Sequence, residues 1–105
     1  MVKVEIAYND KALTSLKVKG HADSGPYGKD LVCAAVTAIL VGAANALEDD
    51  ASNFEVVLEE GNASFTPIHP ISEHDAIVLE TVILQLKTIE VSPSTKGTLT
   101  IKERK

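Results

Sequence analysis

The sequence predicts an α+β fold of element order ββαββαβ, a mainly antiparallel sheet with two helices, the first central and apolar. Three observations predict it. Short segments alternate apolar and polar residues at the period of a half-buried strand. Two longer segments repeat apolar residues at helical spacing. Turn-forming residues, Asn9-Asp10, Gly61-Asn62 and Ser92-Pro93-Ser94, fall between them.

Val2, Val4 and Ile6 alternate with Lys3, Glu5 and Ala7, the pattern of a strand with one buried face. A turn through Asn9-Asp10 leads to residues 13–18, where Leu16 and Val18 flank Lys17, so the pair reads as a hairpin ending at Gly20-His21. Residues 22–30 hold Asp23, Ser24, Gly25, Pro26 and Gly28, a loop composition, and Gly25 and Gly28 give that loop the freedom to move over a bound peptide. Asp30 is a good N-cap, because its carboxylate accepts the unpaired backbone N–H groups of a first helical turn. The helix it starts spans residues 31–48. It is apolar nearly all round and rich in alanine, so other elements can approach it on several sides. Glu48-Asp49-Asp50 opposes the dipole at its end and reads as a solvated exit. Phe54, Val56 and Leu58 alternate with Glu55 and Glu59, and after Gly61-Asn62 the chain returns over residues 63–68 with Phe65 and Ile68 apolar, a second hairpin. Ser72 with Asp75 resembles a capping box. Ile77, Val78, Val82, Ile83, Leu86 and Ile89 then mark a helix to about residue 89, and residues 98–102 alternate as a last strand.

The chain has 105 residues, of which 45% are hydrophobic, enough for one domain over residues 1–105 with an aliphatic core. A formal charge of −5 opposes binding to nucleic acid, which is driven by Lys and Arg neutralising phosphates. It favours, weakly, encounter with a basic protein. One cysteine forms no internal disulfide, and the N-terminus reads as a strand and not as a signal peptide. The longest uncharged stretch, residues 31–47, falls short of the ~20 residues that span a bilayer and contains Thr37, Gly42 and Asn45. A cytoplasmic protein without membrane contact is expected.

With Asp30 as N-cap, Cys33 stands inside the first helical turn, where unpaired N–H groups and the positive end of the dipole stabilise a thiolate. The charge of Asp30 itself opposes that effect. His21 ends the preceding strand, and the loop between is long enough to bring imidazole and thiol together. Such a pair suffices for acyl transfer: histidine takes the thiol proton, sulfur attacks the carbonyl, and imidazolium protonates the leaving amine. Backbone N–H groups of the first turn are candidates for an oxyanion hole. The plainer readings are a cysteine that is a small buried hydrophobe, a histidine on the surface, and an Asp30 that only caps. Asp30 stands as either a cap or an orienting partner of His21. His69 and His74, five apart across a helix boundary, share no helical face, so no metal site is expected, and no cofactor either.

The block Gly20-His21-Ala22, then Gly25 and Gly28, then Asp30-Leu31-Val32-Cys33-Ala34-Ala35-Val36, resembles the signature of the ribosomal-processing cysteine protease family of Firmicutes and related bacteria, often called Prp. The resemblance implies a catalytic dyad at His21 and Cys33. It implies as substrate a basic large-subunit ribosomal protein precursor, L-twenty-seven, cut in its N-terminal extension after an aromatic residue, and it implies a homodimer. Thr37 departs from the family's usual serine but keeps the hydroxyl, and it is left out of the site. Two other functions compete: a redox-active cysteine, against which the missing second cysteine counts, and a non-catalytic ribosome-associated binding module with a structural Cys33. Peroxide set against peptide substrate separates the first, and thiol alkylation the second.

Overall fold

The computed structural model describes residues 1–21, 31–48 and 50–105. Val2–Asn9 (β1) and Ala12–Lys19 (β2) form the first hairpin, Leu31–Ala46 is α1, and a single turn of helix, Asp50–Asn53 (α2), leads into Phe54–Glu59 (β3). Asn62–Pro67 (β4), Glu73–Val91 (α3) and Leu99–Arg104 (β5) complete the order. The five strands make one sheet, β3-β4-β2-β1-β5, antiparallel except that β5 runs parallel to β1 with Val2 opposite Leu99. Apart from the short α2, this is the ββαββαβ order and the mainly antiparallel sheet expected.

Period-two alternation does the sorting. Val2, Val4 and Ile6 of β1, Leu16 and Val18 of β2, Ala63 and Phe65 of β4 and Leu99 of β5 are buried on one face, while Lys3, Glu5, Lys17 and Lys19 stay exposed. On the buried face lie α1 and α3. From α1 come Val32, Val36, Leu40 and Ala43, and from α3 Leu79, Val82, Ile83 and Leu86. The packing of α1 is one-sided, with Val41 42% and Leu31 80% exposed, so its apolar breadth exceeds what this core uses.

Several boundaries differ from the sequence expectation. The first turn is Asp10-Lys11, not Asn9-Asp10, because Asn9 pairs with Ala12; both turn residues have positive φ, 50° and 69°. The second turn is Glu60-Gly61, not Gly61-Asn62, because Asn62 pairs with Glu59, and Gly61 takes φ +72°. The helix α1 stops at Ala46 and not at residue 48: the Glu48 N–H donates to Asp75 Oδ1 of α3 at 2.9 Å. Residues 50–53 are helical instead of a plain loop. Ile68 is 59% exposed, because β4 ends at Pro67 and the Ile68 N–H donates to the Asn53 carbonyl. Ile77 is 57% exposed, since the buried face of α3 runs through Asp75 and Leu79. The expected Ser72 cap is present: its Oγ accepts the Asp75 N–H at 3.1 Å. Among the described residues no helix is long and apolar enough to cross a membrane.

Candidate active site

The end of the sheet where β2 finishes is also where β1 starts and where the β3–β4 hairpin turns, and the first turns of α1 stand above it. Gly20, with φ +96°, closes β2 and donates its N–H to the Gly61 carbonyl at 3.0 Å, tying the end of β2 to the β3–β4 turn. His21 follows directly and is exposed. Cys33 is the third residue of α1, half-buried, and packs against the edge of the core. Its place in the first turn puts it in the field of the helix N-terminus.

Both side chains line one cavity of about 450 Å³. The rest of the lining is largely aliphatic: Val2 and Val18 from the sheet, Leu40 and Val41 from α1, Leu58 and Ala63 from the β3–β4 hairpin. Glu59, Glu60 and Asn62 add polar groups at the hairpin end. A cavity of this size and lining accepts apolar side chains and offers a few polar groups for orientation.

The structure thus brings His21 and Cys33 to one cavity, although they come from different elements. Asp30, Gly25 and Gly28 lie outside the described residues. Thr37, one turn beyond Cys33 and set aside on the sequence, lines the same cavity. Sequence reasoning missed the hairpin wall, Leu58 to Ala63, altogether. Gly61 was visible there only as a turn residue, and nothing in its neighbours points toward His21.

The two other histidines take separate parts. The backbone N–H of His69 donates to Asn53 Oδ1 at 2.7 Å. His74 Nδ1 lies 2.9 Å from Asp75 Oδ1 and 3.9 Å from Glu48 Oε1. Among the described residues, Glu48, His74 and Asp75 form a group whose ligand atoms lie within 4.8 Å of one another. Asp75 is fully buried, and its Oδ1 already accepts from the Glu48 N–H and from His74, so the group joins the end of α1 to the start of α3. The hydrogen bond to Asp75 raises the His74 pKa above its ordinary value, against some desolvation and with help from the charges of Glu48 and Asp75.

Comparison with known proteins bears on this geometry. The family model described as cysteine protease Prp matches residues 1–96. A ribosomal processing cysteine protease Prp of Staphylococcus aureus is 33% identical over 94 residues, covering 86% of this chain and 89% of the relative. The Bacillus subtilis protein of the same name is 37% identical over 90 residues, covering 78% and 80%. A crystal structure of the essential ribosomal processing protease Prp from S. aureus, in complex with a covalently linked product peptide, superposes with a TM-score of 0.86 at 28% identity and covers 99% of this chain and all of that one.

Proposed function

The chain belongs to the cysteine protease Prp family, and from that premise we propose that it removes the N-terminal extension of a basic large-subunit ribosomal protein, L-twenty-seven, with Cys33 as nucleophile and His21 as general base. That it is a cysteine protease follows from the family, and its relatives are ribosomal processing proteases. The observation that carries the dyad is the shared cavity: the one cysteine of the chain, in the first turn of α1, and His21, two residues past the end of β2, line the same largely aliphatic cavity.

In the proposed reaction the His21 imidazole takes the Cys33 proton and Sγ bonds to the scissile carbonyl carbon, whose π electrons move to oxygen. Backbone N–H groups at the start of α1 stabilise that oxyanion. Collapse of the intermediate breaks the C–N bond, and the imidazolium protonates the departing amine, leaving a thioester. Water, deprotonated by His21, then adds to the thioester carbonyl and the thiol is released. The aliphatic wall receives the apolar residues before the scissile bond. Asp30 serves as helix cap or as partner of His21.

Mass spectrometry of the ribosomal protein precursor, before and after incubation with this protein, is the test. Cys33→Ser and His21→Ala are each expected to lower cleavage by about a thousand-fold or more while leaving the circular dichroism spectrum unchanged. Full cleavage by either variant overturns the dyad. We also propose a cytoplasmic homodimer of single-domain protomers. What supports the dimer is the heptad-spaced row Ile77, Leu84 and Val91 on α3, 57%, 57% and 72% exposed.

A further inference from the structure

We propose that Gly61 is a positioning residue for the His21 imidazole, the β3–β4 turn presenting a surface without a side chain against which the ring lies. Three observations carry this. A Cβ built on Gly61 would lie 3.0 Å from His21 Nε2, 3.5 Å from Cε1 and 3.7 Å from Cδ2, so the ring occupies the space that any other residue would fill. The Gly61 carbonyl accepts the N–H of Gly20, so the residue that limits the ring is hydrogen-bonded to the residue just before His21. His21 is otherwise exposed, and an exposed histidine samples several rotamers unless a neighbour restricts it.

The contact falls on Nε2. A methyl group at Gly61 is closer to that nitrogen than unbonded carbon and nitrogen ordinarily approach, so the ring must give by a few tenths of an ångström. A misplacement of about one ångström in a general base costs on the order of a hundred-fold in rate, so a few tenths costs about three- to ten-fold, through lost alignment and not through lost binding. Gly61 therefore acts through His21, and the inference rests on the dyad reading above.

Gly97 supplies the control. It has φ +87°, comparable to the +72° of Gly61, yet a Cβ there meets nothing within 4 Å. Gly97→Ala carries the backbone strain of a left-handed residue without the ring contact. Gly61→Ala carries both. Gly61→Asn keeps the Cβ while tolerating positive φ, and covers the case in which the alanine variant folds poorly.

The experiment compares Gly61→Ala, Gly61→Asn, Gly97→Ala, His21→Ala and the double variant Gly61→Ala/His21→Ala. Its three readouts are peptide cleavage, the pH profile of Cys33 alkylation by iodoacetamide, and the histidine ring signals in NMR spectra. Both Gly61 variants are expected to lower kcat by about three-fold or more with KM within about two-fold, and Gly97→Ala to leave both nearly unchanged. The alkylation profile of Gly61→Ala should shift toward that of His21→Ala, and the double variant should match His21→Ala alone. Gly61 variants that cleave and alkylate like Gly97→Ala, while His21→Ala does not, overturn the proposal and leave the dyad standing. If His21→Ala cleaves normally the dyad fails. The ring signals then decide Gly61 separately: a His21 shift in Gly61→Ala but not in Gly97→Ala upholds the contact, and no shift rejects it.

Discussion

At Gly20, φ is +96° and a Cβ would stand 2.4 Å from the Met1 carbonyl oxygen, a distance no real Cβ contact sustains. The obstacle is backbone, so relief requires the start of β1 to move. Gly20→Ala is expected to cost about 3 kcal/mol, combining the left-handed penalty with overpacking. Gly42 offers the opposite case: it sits inside α1, exposed, with nothing within 4 Å of its would-be Cβ. Gly42→Ala should stabilise by about 0.5–1 kcal/mol, because the alanine chain loses less backbone freedom on folding. Urea denaturation of the two variants checks both signs, and a neutral Gly20→Ala would mean that β1 accommodates the methyl. The glycine of the Gly-His-Ala block was legible as a residue in the sequence, but its reason was not: the clash is with Met1, which only the β1–β2 pairing brings near.

Where α3 begins, a buried carboxylate connects two helices. The Ser72 cap was legible because capping depends on residues three apart. The buried role of Asp75 was not, since its partner Glu48 lies 27 positions away. The same limit explains the turns: Asn9-Asp10 is the better turn chemistry, yet pairing of Asn9 with Ala12 forces Lys11 into φ 69°. His74 makes the helix junction pH-dependent. Its folded-state pKa is raised above the unfolded value of about 6.5, so its protonated form stabilises the fold. That contribution is present in full below about pH 6.5 and is lost as pH rises through the raised folded value. The thermal midpoint of the wild type should therefore exceed that of His74→Gln most near pH 6, and the gap should narrow toward pH 8.5. Melting curves across that range check it, and a gap that widens with pH contradicts it. The exposed position of His74 keeps the effect modest.

For the molecule as a whole, net charge sets long-range behaviour while the cavity wall sets short-range behaviour. A formal charge of −5 attracts a basic substrate, but salt at about 0.5 M cuts the screening length to a few ångströms. On the proposed substrate, raising salt from about 0.05 to about 0.5 M should change kcat/KM by less than replacing with alanine the aromatic residue proposed to precede the scissile bond. That replacement is expected to cost about ten-fold or more, on the order of 1.4 kcal/mol. A peptide-cleavage series over both variables ranks them, and a rate that collapses with salt while tolerating alanine reverses the ranking. At this scale element order was legible because periodicity is local, and His21 and Cys33, which the structure brings to one cavity, stood out because they share one contiguous block. Sheet order, the hairpin wall and Gly61 were not, because each depends on pairings that composition does not encode. The parallel pairing of β1 with β5 has a kinetic consequence. Val2 meets Leu99, so the last ladder closes across nearly the whole chain, and loop-closure entropy must be lost before that contact forms. Among the described residues, those lining the cavity belong to residues 2–63, none to α3 or β5. Refolding is therefore expected to bring the cavity wall together before the final strand closes the sheet, and substitutions in β5 should speed unfolding more than they slow folding in stopped-flow measurements.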